Sequence, residues 1–161
     1  MTPKQTDISE SFASHREKLL GFCWRLIGNQ QAAEDVTQDV FLKACSLPEK
    51  DFNTAWLYRC ARNRCIDHLR RRSRWNRLKS FLSFQTQETG VDEILVNKRA
   101  SLRVLGALPE KMRTALLLRS YSGLDYQTLA EILEIKESSV KVLLSRARKK
   151  ACELMEEEQK L

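Results

Sequence analysis

Apolar residues recur every three or four positions along most of this chain, the spacing of a helix with one buried face. Residues 11–27 form such a face, and Gly28 then supplies a helix stop. A second helix is predicted over residues 31–46, and a third from Asn53 or Thr54 to about residue 72. No segment alternates apolar and polar residues as a strand does, so the pattern predicts an all-α protein.

The helical pattern is lost over residues 76–97, where the stretch SFQTQETGVDE is polar and contains Gly90. The pattern returns from Lys98. The sequence therefore predicts two small helical domains, residues 8–75 and 98–152, joined by a flexible linker over residues 76–97. Such a linker would let the domains reorient independently in solution.

Two helices of the second domain are separated only by Glu134, Ile135 and Lys136. Asp125 is a good N-cap for the first of them, and helices joined by so short a turn cross steeply, as in a helix-turn-helix. The second domain is thus predicted to contain a helix-turn-helix.

The second helix of this pair has an apolar side and an outer side rich in hydroxyls and cations. Near its start a major-groove helix reaches base edges, and further along its cations reach phosphates. An ordinary amphipathic helix with solvated cations has the same spacing, so the pattern alone leaves both interpretations open. The candidate DNA-binding residues of the outer side are Ser138, Ser139, Lys141, Ser145, Arg146, Arg148 and Lys149.

Charge is unevenly distributed along the 161 residues, whose formal net charge is +7. Residues 71–82 contain five cations and no acid, and residues 101–150 contain ten cations and five acids. Two basic patches indicate a polyanionic partner that is contacted at two places. No apolar run approaches the ~18 residues of a spanning helix, and the N-terminus lacks the apolar core of a signal peptide, so we expect a cytoplasmic protein.

Reactive groups are scattered rather than clustered. The five cysteines are odd in number and lie on helical segments, which argues against a disulfide framework. The spacing of Cys60 and Cys65 is not a usual zinc spacing, and His15 lies far from His68 in the sequence. No nucleophile–base array or phosphate-binding glycine loop is present. We therefore expect no enzymatic activity, no metal or cofactor and no small-molecule substrate.

The segment LPEKMRTALLLRSYSGLDYQTLAEILEIKESSVKVLLSRARKK contains Leu108-Pro109 with Arg113, Gly123-Leu124, Tyr126 with Leu129-Ala130, Val140-Lys141, and Arg146-Ala147-Arg148. This series resembles the promoter-binding C-terminal domain of bacterial sigma factors of the sigma-70 family, specifically the extracytoplasmic-function group. The resemblance implies that the helix-turn-helix binds the distal promoter element. The family usually has glycine or a similar turn-former at the position of Glu134, so a left-handed turn there would cost this chain about 1 kcal/mol.

The stretch AEDVTQDVFLKA places Glu34, Asp35, Gln38 and Asp39 on one exposed helix face. It resembles the segment by which these sigma factors bind the clamp of core RNA polymerase. A carboxylate face suits an arginine-rich coiled coil on a partner. The charge pattern alone favours a solvated acidic face, so the polymerase-binding role is what the resemblance implies.

The stretch FNTAWLYRCARNRCIDHLRRRSR resembles the segment that melts and reads the proximal promoter element. Melting needs aromatic side chains for unstacked bases and cations for the exposed strand. Trp56 can equally well fill the core, as aromatic residues often do. The residues that match the family pattern are Phe52, Trp56, Tyr58, Arg59, Asn63, Asp67, Arg70 and Arg71.

The resemblance, which covers nearly the whole chain, implies a transcription initiation factor without catalytic activity. Its partners would be core RNA polymerase and double-stranded and melted promoter DNA. It also implies an anti-sigma factor that keeps the protein inactive and can hold it at the inner face of the membrane. Two alternatives remain: a stand-alone helix-turn-helix DNA-binding regulator, and a polymerase-binding interaction protein without promoter recognition.

Overall fold

The computed structural model describes residues 3–48, 53–81 and 93–160. Regular structure in these ranges is entirely helical, which confirms the all-α prediction. No helix in them is long and apolar enough to cross a bilayer. The helices are α1 (Pro3–Ile27), α2 (Gln30–Cys45), α3 (Thr54–Phe81), α4 (Glu93–Ala107), α5 (Glu110–Leu116), which continues into a π-helical turn (Leu117–Tyr121), α6 (Tyr126–Leu133) and α7 (Glu137–Gln159).

Local sequence signals set most helix ends. Gly28 has φ +77°, which lets the chain leave α1 without strain. Asn29 then caps α2, since its side-chain oxygen accepts a hydrogen bond from the Ala32 amide at 2.9 Å. Asn53 caps α3 in the same way, accepting from the Trp56 amide at 2.8 Å.

Helix α3 continues past residue 72, where the sequence pattern predicted its end, to Phe81. The apolar periodicity fades there, but neither glycine nor proline interrupts the segment, and arginine, lysine and leucine are good helix formers. α4 in turn begins at Glu93. The two helices thus include both ends of the predicted linker, and its middle, residues 82–92, lies outside the described residues.

Helices α1, α2 and α3 pack around a fully buried cluster that includes Leu19, Phe22 and Leu57. Cys23 and Cys65 are neighbours within this core and are both inaccessible to solvent. A hydrogen bond with Cys23 and burial both raise the pKa of the Cys65 thiol far above its usual range. Cys65 therefore serves as a neutral core residue.

The helix-turn-helix of α6 and α7 forms as the sequence predicted. The Asp125 carboxylate accepts a hydrogen bond from the Thr128 amide at 2.7 Å, and this bond lowers the pKa of Asp125. Glu134 adopts the left-handed conformation, with φ 55° and ψ 45°. The Ile135 amide then donates to the Ala130 carbonyl at 3.1 Å, which closes the turn. The left-handed conformation of Glu134 thus sets the crossing of α6 and α7, at the cost of local backbone strain.

The two domains pack directly against each other, which the sequence did not predict. α1 contacts α4 and the π-helical turn, and α3 contacts α6, so that one apolar core runs through both domains. The ring of Tyr121 lies over Gly21, where a Cβ atom would stand only 1.9 Å from the tyrosine oxygen. The guanidinium of Arg25 lies 3.8 Å from the centroid of the same ring.

Arg113 connects the C-terminal ends of α1 and α4 at this interface. Its Nη2 atom donates to the carbonyls of Gly106 and Leu108 at 3.0 and 3.2 Å, and its Nη1 atom lies 3.5 Å from the carbonyl of Leu26. These carbonyls lie at or just beyond the C-terminal ends of α4 and α1, where the helix dipole attracts a cation. Burial lowers the pKa of Arg113, and the nearby Glu110 carboxylate opposes that shift. Arg113 therefore stabilises the packing of the second domain on the first.

Candidate functional site

Helix α2 presents Glu34, Asp35, Gln38 and Asp39 together on one exposed surface, here called the acidic face. The opposite side of α2 is buried in the first domain. Glu34 accepts a hydrogen bond from Gln30 at 2.7 Å, and Asp39 lies 3.7 Å from Arg64. Both contacts are exposed and hence weak, so the carboxylates remain available to a partner.

An apolar side chain borders the acidic face at its C-terminal end. Leu42 is 64% exposed and stands one helical turn after Gln38. Beside it, a cleft of about 490 Å³ between α1 and α2 is lined by three acidic-face residues together with Arg16 and Phe41. Sequence reasoning missed Leu42, although an apolar residue at an outward position of a polar face was a visible signal.

Helix α3 carries a row of residues on one side at intervals of three or four positions. Trp56 and Arg59 are half-buried, whereas Asn63, Asp67 and Arg70 are exposed. These five residues are here called the α3 stripe, because 3.6 residues per turn bring them to one side of the helix. Arg71, the remaining exposed candidate, lies on the neighbouring side, and Phe52 lies outside the described residues.

Tyr58 does not belong to the stripe. It follows Trp56 by two residues, about 200° around the helix, and is 1% exposed. Its ring packs edge-on against Phe22 at 5.5 Å, and its hydroxyl faces that of Ser122 without hydrogen-bond geometry. Burial raises the pKa of Tyr58. In this arrangement of the domains Tyr58 is not available to DNA.

The second domain also reaches the stripe through Glu110 at the start of α5. Its carboxylate oxygens lie 3.4 Å from Arg62 and 3.8 Å from Arg70. Arg62 is largely buried, whereas the Arg70 side chain is 66% exposed. The sequence could not reveal this contact, because it depends on how the two domains pack.

Helix α7 places its candidate residues outward, as the spacing predicted, while Val140, Leu144 and Ala147 are buried. The Lys141 ammonium lies 5.6 Å from the centroid of the Tyr126 ring, within reach of a cation–π interaction. Lys141 therefore lies at the helix crossing, near the start of α7. The exposed candidates are Ser138, Ser139, Lys141, Ser145, Arg146, Arg148 and Lys149.

Two further residues join this surface. Val142 is 51% exposed in the middle of the outward side, where its methyl groups suit an apolar contact with thymine. A cleft of about 530 Å³ brings Lys111 and Met112 of α5 beside Val142 and Arg146. Val142 was visible in the sequence as an apolar residue off the buried side, whereas Lys111 required the crossing of α5 and α7.

These surfaces are convex helix faces that present carboxylates, cations, amides and aromatic rings, which are groups suited to noncovalent recognition. Within residues 3–48, 53–81 and 93–160, no group of three or more His, Cys, Asp or Glu side chains could hold a metal ion. The arrangement therefore suits binding of a protein through α2 and of nucleic acid through α3 and α7.

The family description Sigma-70 region 2 matches residues 12–74, and Sigma-70, region 4 matches residues 98–150. Among curated relatives, the RNA polymerase sigma-H factor of Pseudomonas aeruginosa is 31% identical over 152 residues, covering 83% of this chain and 78% of the relative. The ECF RNA polymerase sigma factor SigW of Bacillus subtilis is 28% identical over 152 residues, covering 83% and 81%.

Two solved structures share the fold. The sigma factor RpoE, in complex with the anti-sigma factor NepR from Bartonella quintana, matches with a TM-score of 0.71 and 24% identity, covering 93% of this chain and 97% of that one. CnrH, in complex with the cytosolic domain of CnrY, matches with a TM-score of 0.73 and 21% identity, covering 94% and 89%.

Proposed function

This chain belongs to the extracytoplasmic-function group of the sigma-70 family, and we propose from that premise a separate role for each of its three exposed surfaces. As a sigma factor it binds core RNA polymerase and directs the enzyme to promoters. The observation that carries the proposal is that one chain exposes an acidic face, an aromatic and cationic stripe and a helix-turn-helix. The polymerase supplies the chemistry, and this chain positions it and opens the duplex.

The acidic face is the proposed contact with core polymerase. Glu34, Asp35 and Asp39 lie near enough to engage several arginines of one partner helix, and Gln38 adds an amide. Leu42 adds an exposed apolar contact at the C-terminal edge of this face. Charge complementarity would set the orientation and the rate of association.

The α3 stripe, with Arg71 beside it, is the proposed contact with the proximal promoter element. Trp56 offers a ring for an unstacked base, Asn63 offers amide groups to a base edge, and Arg59 and Arg70 neutralise the strand. Tyr58 is not part of this contact, because it lies about 200° around α3 from Trp56 and its ring packs against Phe22 of the first domain.

Helix α7 is the proposed reader of the distal promoter element. Ser138, Ser139 and Lys141 lie near its start, where a major-groove helix meets base edges. The later residues Ser145, Arg146, Arg148 and Lys149 lie where the helix leaves the groove and phosphates come within reach. This division assigns sequence discrimination to the start of α7 and sequence-independent affinity to its middle.

We further propose that an anti-sigma factor keeps the protein inactive. Supporting this, the structurally similar RpoE was solved with an anti-sigma factor, and CnrH with the cytosolic domain of CnrY. The proposed place of action is the cytoplasm, where core polymerase and promoter DNA are found. A membrane-bound anti-sigma partner would hold the protein at the inner face of the membrane.

Run-off transcription with purified core polymerase tests the proposed function. Core polymerase with the chain should produce transcripts with defined starts from fragments of the genome, and core polymerase alone should not. A stand-alone regulator would bind DNA but start no transcripts, and an interaction protein would bind the polymerase without defined starts. Absence of specific transcripts, despite a folded chain bound to core polymerase, would overturn the proposal.

A further inference from the structure

The α3 stripe does not end where the region 2 match ends. From Trp56 to Arg70 its members are three or four positions apart, and further steps of four and three lead to Arg74 and Arg77. α3 is one continuous helix to Phe81, so all these positions lie within about 80° of one another around its axis. The match ends at residue 74. The stripe therefore continues for about two turns, partly beyond the matched region.

The surroundings of Arg74 and Arg77 are strongly cationic. Both are exposed, and with Arg70 and Arg71 they line a cleft of about 530 Å³ in which the one acidic lining residue is Asp67. Cations crowded in this way repel one another, and a bound polyanion relieves the repulsion. Charge complementarity therefore selects an anionic occupant for this end of α3.

The chemical character of the stripe changes along its length. Its N-terminal end has Trp56 and Asn63, which suit exposed bases, whereas its C-terminal end has arginines that suit phosphates. Arg70 and Arg77 are about 10 Å apart along the axis, and duplex DNA carries one charge per ~1.7 Å, so several phosphates fall within reach. This polarity matches a junction at which melted DNA meets duplex.

Resting on the proposed function, we propose that Arg74 and Arg77 extend the proximal-promoter surface onto the phosphates of the duplex that borders the melted segment. Each guanidinium contacts the sugar–phosphate backbone rather than a base. The contacts therefore add sequence-independent affinity and fix where the duplex leaves α3, without altering which bases are read.

The chain itself offers a matched control. Arg72 is exposed on the same turns of α3 but lies about 160° around the axis from Arg74. Arg72→Ala removes the same charge from the same helix without touching the extended stripe. In a second control, Lys at positions 74 and 77 keeps both charges, so a purely electrostatic contact should survive that replacement.

The test measures binding of holoenzyme, assembled from core polymerase and the full chain, at several salt concentrations. The DNA comes from a promoter found by run-off transcription; its duplex contains the distal element, and its proximal element is a single-stranded extension. The double variant Arg74→Ala, Arg77→Ala should reduce the slope of log affinity against log salt by about two units, at ~0.9 per phosphate contact. Arg72→Ala and the double lysine variant should keep the wild-type slope.

Failures of the two proposals are distinguishable. If the double alanine variant keeps the wild-type slope while Arg148→Ala lowers it, the extended stripe is overturned and the proposed function stands. If Arg72→Ala lowers the slope as much as Arg77→Ala does, general basicity and not the stripe accounts for binding, which also overturns the inference. If wild-type holoenzyme binds this DNA no better than core polymerase alone, the proposed function fails, and the inference fails with it.

Discussion

Replacing Gly21 with alanine should separate the two domains while strengthening the helix in which it lies. The new Cβ would stand 1.9 Å from the Tyr121 oxygen and 2.6 Å from the adjacent ring carbon, whereas ordinary contacts begin near 3.4 Å. The tip of the tyrosine must therefore withdraw by about 1.5 Å. Because the ring is also held by Arg25 at 3.8 Å, it cannot withdraw without weakening that interaction.

Two opposing effects set how much Gly21→Ala changes the free energy of the packed arrangement. Gly21 and Tyr121 are both partly buried, so overpacking there costs less than the upper end of the about 1–3 kcal/mol seen in well-packed cores. Disruption of the cation–π interaction between Arg25 and Tyr121 adds about 0.5–2 kcal/mol. Within α1 itself, alanine is favoured over glycine by about 0.5–1 kcal/mol, because the unfolded chain loses less entropy on folding. The first domain should become slightly more stable, while the packed arrangement of the domains becomes roughly tenfold less populated for each 1.4 kcal/mol.

The measurement can use cysteines that the protein already has. Cys45 in α2 and Cys152 in α7 are exposed, one in each domain, whereas Cys23 and Cys65 are buried. After Cys60→Ser, dyes on Cys45 and Cys152 report the distance between the domains by energy transfer. Gly21→Ala should lower the transfer efficiency at equilibrium, and circular dichroism should show unchanged helical content.

A second glycine provides the control. Gly106 is also helical, but a Cβ there meets nothing within 4 Å, so Gly106→Ala should leave the transfer efficiency unchanged. Tyr121→Ala should separate the domains by itself, and Gly21→Ala should add nothing in that background. If Gly21→Ala retains the wild-type transfer efficiency, Tyr121 does not pack on Gly21 in solution, and the account of the interface is refuted.

Three further predictions concern the acidic face, α7 and the buried thiols. Asp35→Lys with Asp39→Lys should abolish association with core polymerase in a pull-down, because the reversed charges meet like charges on the partner. Lys141→Ala should cost about 1–3 kcal/mol on the cognate distal element, whereas Arg148→Ala should weaken all sequences alike and lower the salt slope by about one unit. Above pH 9, the Cys65 thiol ionises only in the unfolded chain, so it should lower the free energy of unfolding by up to about 1.4 kcal/mol per pH unit. Urea unfolding at several pH values measures this slope, and Cys65→Ala should lose the part that comes from Cys65.

Each of these has a matched control and a contrary outcome. Glu131→Lys, an exposed reversal on α6, should leave polymerase association intact, and unchanged association of the Asp35, Asp39 double variant would sink the acidic-face assignment. Equal weakening of cognate and scrambled DNA by Lys141→Ala would show that this residue reads no bases. Cys45→Ala should keep the wild-type pH slope, and the same slope in Cys65→Ala would contradict the buried-thiol argument.

Features set by a few neighbouring residues could be predicted from the sequence. Gly28 ends α1, Asp125 caps α6, and the short turn at Glu134 fixes the helix-turn-helix, because each depends on local backbone chemistry. The outward candidates of α2 and α7 followed from helical spacing in the same way. The burial of Tyr58 could also be predicted, because its spacing from Trp56 places it on the opposite side of α3, which faces the core.

Features set by distant parts of the chain could not be predicted. The π-helical turn brings Tyr121 and Ser122 against the first domain, and no residue type specifies such a turn. The contact of Glu110 with Arg70 joins residues far apart in sequence, so it forms only once the domains have packed. The end of α3 was placed too early because loss of an apolar face does not end a helix whose residues still favour helical backbone.

The packing of the second domain on α3 makes DNA affinity a measure of domain separation. Glu110 of the second domain reaches Arg70 of the α3 stripe, so under the proposed assignment only separated molecules offer the complete proximal surface. The apparent dissociation constant is then the intrinsic one divided by the separated fraction, and a fraction of about 1% weakens binding roughly a hundredfold. A partner that holds the domains apart therefore raises DNA affinity without touching DNA. A partner that stabilises the packed arrangement lowers DNA affinity without covering a DNA-binding residue.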